Sequence, residues 1–131
     1  MNRNLIFISL FFISSNISSD EWIRVSMSDD RKSIGYINGE QVKYTDNYLY
    51  YWSMIEEKDN KSYRSVVAYA KADCDIGREQ YLSISYYDDF KAKGNILNTV
   101  TPEGNWHYPI PGTTQMILHE VACNAKDKFL K

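Results

Sequence analysis

Residues 63–74 read YRSVVAYAKADC. With the period of two that a strand imposes, they split into two sides. Val66, Ala68, Ala70, Ala72 and Cys74 fall on one, and Val67, Tyr69, Lys71 and Asp73 on the other. The first side is a row of small side chains ending in a thiol. Such a row is a shallow trough, and a wide element such as a helix can lie close to the sheet along it.

The flanking chain supplies both the sheet and the helix. Trp22 to Ser28 alternates weakly, and Ser33 to Ile37 is a short strand before the turn dipeptide Asn38-Gly39. Val42 to Tyr44 continues extended, and Thr45-Asp46-Asn47 turns again. Tyr48 to Glu57, YLYYWSMIEE, is rich in strand formers. It carries Tyr48, Tyr50, Trp52 and Met54 on one side and Leu49, Tyr51 and Ile55 on the other, so it reads as a central strand. Glu79 to Tyr87 and Asn95 to Thr101 follow as strands, separated by the charged loop Asp88 to Gly94. Trp106 to Gly112 holds two prolines, which force their predecessors into extended geometry. Thr113 then reads as an N-cap and Thr114 to Ala125 as the helix, with Ile117 and Val121 on one side and His119 and Cys123 on a neighbouring one. The expected fold class is α+β: an antiparallel sheet of about six strands, with the helix on the alanine-lined face and Cys123 reaching Cys74.

Residues 1–19, MNRNLIFISLFFISSNISS, have the form of a secretory signal: Arg3, a short apolar run, then small polar residues. The run is too short to cross a bilayer, which takes about 20 residues. Cleavage after Ser19 would leave Asp20 first and a single domain over residues 20–131. No cysteine lies near that junction, so a lipidated N-terminus is not expected. Losing Arg3 takes the net charge from −2 to −3. Lysines and arginines are scattered among acids, which argues against nucleic acid as a partner. In an exported chain with two cysteines, Cys74 and Cys123, the expectation is one disulfide. The loop such a bond closes, about 50 residues, gives roughly 4 kcal/mol in the chain-entropy picture, a large share for so small a domain.

Residues 119–123, HEVAC, come within one letter of the H-E-x-x-H zinc signature. Zinc needs three or four ligands. His107, His119, Cys74 and Cys123 match no common spacing, and a cysteine in a disulfide supplies no thiolate for metal or catalysis. His119 therefore reads as a helix-surface or boundary residue. No G-x-S-x-G nucleophile motif occurs. The carboxylate pairs Asp29-Asp30, Glu56-Glu57 and Asp88-Asp89 read as solvated turns, and Asn60-Lys61-Ser62 is a bare glycosylation triplet. No catalytic, cofactor or metal site is assigned.

Eleven tyrosines remain to be placed. One helix covers one face, so part of the aromatic set must sit on the other. Tyrosine offers contact area at low entropy cost and a hydroxyl for polar pairing. Tyr48, Tyr50, Trp52, Tyr81 and Tyr87 are the candidate recognition surface.

Several pieces occur in an order that resembles the surface-adhesin protein E-like family. They are Trp22 with the strand behind it, Gly35 to Ile37, the aromatic strand to Trp52, and Tyr63-Arg64-Ser65. Asp73-Cys74 with Arg78, the tyrosine-rich strand to Tyr87, Gly94, and Trp106 to Thr113 leading to Cys123 complete the set. The resemblance covers roughly residues 21–124. It implies an antiparallel sheet with a C-terminal helix held to its concave face by a disulfide. It further implies an outer-membrane adhesin that binds host matrix and serum proteins and dimerises. The missing lipidation cysteine points instead to a soluble periplasmic or secreted form. The expected function is thus an exported bacterial binding module contacting a protein ligand, with a homodimer allowed and no membrane span. The alternatives are a small periplasmic inhibitor of a lysozyme-type enzyme and a hydrolase using His107 or His119.

Overall fold

Strand-forming runs separated by short polar turns pair mainly with their chain neighbours, and in this chain one short run is passed over. In the computed structural model, which describes residues 22–126, β1 (Trp22–Met27), β2 (Ser33–Asn38), β3 (Lys43–Thr45), β4 (Tyr48–Glu57), β5 (Ser65–Asp73), β6 (Arg78–Tyr87) and β7 (Ile96–Val100) precede one helix, α1 (Thr114–Asn124). The signal segment read over residues 1–19 lies outside the described residues. The sheet runs β1-β2-β4-β5-β6-β7, with β3 also pairing β4, and every pair is antiparallel.

The alternation predicted for β4 and β5 sorts the core into two layers. On the helix side Ile37, Leu49, Tyr51, Ile55, Ala70 and Ala72 pack with Leu118 and Ala122. On the other side Ile34, Tyr36, Met54 and Val67 pack with Trp22, Trp52, Tyr87 and Ala92. One acid behaves differently from expectation. Glu56 is buried rather than solvated: the Tyr36 hydroxyl donates to its Oε1 at 2.9 Å and the Lys91 backbone N–H to its Oε2 at 2.9 Å. The loop after β6, which includes the short 3₁₀ turn Phe90–Ala92, folds back over this acid and over Ser65, whose hydroxyl donates to the Asp89 carbonyl. A carboxylate at the end of a strand is covered only because that loop returns.

Thr113 caps α1, its hydroxyl accepting from the Met116 N–H at 3.3 Å. The helix buries Leu118, His119 and Ala122, with Val121 and Cys123 packed beside them, while Ile117 stays exposed. The helix also lies over β1, β2 and β4 more than over β5. Gly35 explains the offset. A Cβ there would stand 2.8 Å from Thr114 Cγ2 and 3.1 Å from Leu118 Cδ2, so the missing side chain on β2 admits the helix. The alanines of β5 take its far end, where Cys74 and Cys123 form the disulfide, with Cα atoms 5.6 Å apart.

Beneath that end lies a polar cluster. Glu79 is 1% exposed and His119 5%, so His119 is an interior residue and not the helix-surface or boundary one expected. The Tyr51 hydroxyl donates to Glu79 Oε2, and His119 Nδ1 stands 2.9 Å from the same oxygen. His119 Nε2 faces the Cys123 sulfur at 3.7 Å. A buried carboxylate is tolerated only with partners, and here they come from β4 and α1. Burial pushes the Tyr51 phenol well above its usual 10.0, and the adjacent Glu79 charge pushes it the same way. Burial likewise raises Tyr36, to about 12, with Glu56 adding to the rise.

Four outcomes follow for stability. Replacing both Cys74 and Cys123 by alanine lowers the unfolding free energy by about 2–5 kcal/mol; unchanged urea midpoints with and without reductant would contradict this. Gly35→Val costs about 1–3 kcal/mol through overpacking against Thr114 and Leu118, read in the same urea titration. Tyr51→Phe costs about 1–3 kcal/mol at neutral pH by stripping Glu79 of a donor. Both buried phenols titrate higher folded than unfolded. Their contribution is therefore complete below the unfolded value of 10.0 and drains away as pH rises through the folded values. Unfolding midpoints should fall above pH 10, less steeply in Tyr51→Phe; parallel curves would exclude Tyr51 as a source.

Candidate functional site

The face away from α1 is set by the even positions of β4 and the odd positions of β5. Cross-strand register puts Trp52 opposite Tyr69 and Tyr50 opposite Lys71. Trp52 and Tyr69 stack with ring centroids 4.6 Å apart, and Tyr50 lies 6.2 Å from Tyr69. A ring from far along the chain joins them. The Glu79 N–H donates to the His107 carbonyl at 2.8 Å, and the His107 N–H returns to the Glu79 carbonyl at 2.9 Å. Neighbours on an extended chain point to opposite faces. Trp106 thus turns to this face, 5.6 Å from Tyr48, and His107 to the helix side, 4.8 Å from Tyr81.

Cations lie among the rings. Lys71 Nζ is 4.3 Å from the Tyr48 centroid, Arg78 Cζ is 4.2 Å from Trp106, and Lys43 Nζ is 5.6 Å from Tyr50. None of these rings is fully buried. The face is therefore a half-covered aromatic surface with positive charge at one end.

Tyr48, Tyr50 and Trp52 come together there, and Tyr87 lies on the same face beside the second core layer. Tyr81 does not join them. A bulge in β6 sets Ser83 opposite Tyr69 and Tyr81 opposite Ala70, so Leu82 is the extra residue and Tyr81 shares the helix side with Ile84 and Tyr86. A plain period of two cannot register that slip. Trp106 and the cations lie outside the set expected from sequence. The only trace of the first is the extended pair Trp106-His107 after Pro102-Glu103-Gly104, and nothing local says which strand it pairs.

On the helix side, Tyr81 and Gln115 are shared by two adjoining clefts. One, about 260 Å³, is walled by His107, Tyr108, Pro109 and Ile110; the other, about 190 Å³, by Tyr63, Val66, Ala68, Ile84 and Tyr86. The first is largely apolar and the second mixed, and His107 meets a phenol ring in the first, not a nucleophile. His119 lines neither cleft: one ring nitrogen is held by Glu79 and the other faces the disulfide, so it positions the helix. Among the described residues, no three His, Cys, Asp or Glu side chains gather for a metal, and no helix is long and apolar enough to cross a membrane.

Comparisons with known proteins agree with this architecture. The family model for surface-adhesin protein E matches residues 22–124. Solved structures of Haemophilus influenzae protein E share the fold. One superposes with a TM-score of 0.54 at 17% identity, covering 88% of this chain and 92% of that one. A second crystal form gives 0.54 at 16% identity over 83% and 91%. A structure of protein E from non-typeable Haemophilus influenzae gives 0.50 at 15% identity over 88% and 83%. No curated protein matches in sequence. At these identities the structures speak for the fold alone, but the family match spans the sheet, the returning Trp106 segment and the helix through Cys123: this chain belongs to the surface-adhesin protein E family.

Proposed function

We propose that this chain is an exported bacterial binding module of the adhesin type, which takes its protein partner on the face opposite α1. The partner is a host matrix or serum protein or another envelope protein, met in the periplasm, in the medium or at the cell surface. The observation that carries the reading is the Trp52–Tyr69–Tyr50 ring group on a sheet face that α1 leaves open. Interface cores favour such rigid aromatic anchors and are bounded by polar rims. Family membership supports binding over catalysis. The histidines support it too, since His119 is locked in the core and His107 packs on a ring.

Capture of immobilised matrix proteins, serum proteins and lysozymes by the purified exported chain tests this. Trp52→Leu keeps an apolar side chain over the second core layer but removes the ring. It should weaken the captured partner's binding at least tenfold, with little change in melting temperature. His107→Ala should leave binding intact. Full binding by Trp52→Leu would remove this face from the proposal. Hydrolysis of a substrate that disappears in His107→Ala would replace a binder with an enzyme. Inhibition of a lysozyme would select the inhibitor class.

A further inference from the structure

We infer that the charged end of the aromatic face, the cross-strand row Lys43–Tyr50–Lys71 with Arg78 and Trp106 beside it, binds a sulfated polysaccharide. The row follows from register: Lys43 pairs Tyr50, and Tyr50 pairs Lys71. Neighbouring strands lie about 4.8 Å apart, so one ring sits between two ammonium-bearing positions at a spacing close to that of successive sugar rings. Trp106 continues the pattern, with Lys71 Nζ at 5.6 Å on one side and Arg78 at 4.2 Å on the other.

The charges there are unequal in status. Arg78 is balanced by Asp73, at 3.2 Å. Lys43 and Lys71 take part in none of the ion pairs among the described residues. The chain as a whole is acidic, so two unpaired ammonium groups on one half-covered patch mark a local reversal of sign. Charge complementarity calls for a polyanion.

The shape of the patch chooses among polyanions. Extended peptides are read through pockets for alternate side chains. The clefts described above lie on the helix side, and neither opens among these rings. A pyranose ring needs no pocket: its C–H face lies on a tyrosine or tryptophan ring while its sulfates reach the flanking cations. Single-stranded nucleic acid also stacks on rings, but it needs a continuous basic track along its backbone, and here the basic end covers only four strands.

The inference does not rest on capture of a protein partner, because the lysines carry it and Trp52 carries the other. The test is retention of the exported chain on immobilised heparin over a salt gradient. N-desulfated heparin, polyglutamate and single-stranded DNA serve as competing probes. The expected result is retention by heparin, elution by moderate salt, and loss of at least tenfold in affinity for Lys43→Gln/Lys71→Gln at an unchanged melting temperature. The double variant should also show a shallower dependence of affinity on salt, since fewer counterions are displaced. No retention of the wild type, or equal retention of the double variant, would overturn the inference. Equal competition by polyglutamate or DNA would overturn the saccharide assignment and leave the patch a general anion surface.

Discussion

The link between α1 and the sheet decides which face of this protein is free. An isolated helix of eleven residues is marginal in water, and this one buries only Leu118, His119 and Ala122. Apolar contact of that extent is a weak hold. Two other links make up for it at the same end: the Cys74–Cys123 bond and the hydrogen bond from His119 to Glu79. They are close enough to touch, with His119 Nε2 3.7 Å from the Cys123 sulfur. Neither substitutes for the other. The covalent link limits how far the helix departs, and the polar one fixes its rotation by demanding a partner for a buried carboxylate.

The near-signature HEVAC is explained by the same arrangement. Positions four apart on a helix share a face, so His119 and Cys123 meet the sheet together. The spacing that would suit a metal equally suits an imidazole and a disulfide used side by side as fasteners. Glu79 decides between these roles. It sits on β6, donated to by the Tyr51 hydroxyl, and it holds the imidazole where no described cleft reaches. Sequence alone could not pair Glu79 with His119, because the two lie forty residues apart and their meeting depends on the register of β4, β5 and β6.

What could be read beforehand was what has a local period. The faces of Tyr48–Glu57 and Tyr63–Cys74, the N-cap at Thr113 and the cysteine pairing all follow from alternation, capping chemistry or count, and the structure has each of them. What could not be read was set by return of the chain. Glu56 is interior because the loop around Lys91 comes back to it. Tyr81 changes face because β6 carries one extra residue. The helix settles over β2 because Gly35 lacks a side chain that would meet Thr114 and Leu118; the alanine row had pointed one strand pair further along. Trp106 reaches the aromatic face because its neighbour His107 pairs with Glu79.

A sheet that leaves rings uncovered risks sticking to itself, and the positions of the cations bear on that risk. Lys43, Lys71 and Arg78 lay charge over Tyr50, Tyr48 and Trp106, so the face stays wet at one end while its rings remain available. The outer edge has no such protection. Ile96, Leu97 and Val100 of β7 are exposed, and Asn95 to Thr101 contains no charge. Edges of that kind invite strand pairing. Length limits the invitation here: β7 has five residues, and Gly94 and Pro102 bracket it. A partner strand added there would gain few backbone bonds, and Pro102 has no N–H to extend the ladder. Recognition through the broad face uses side chains anchored by four paired strands, and that difference in support favours the face over the edge.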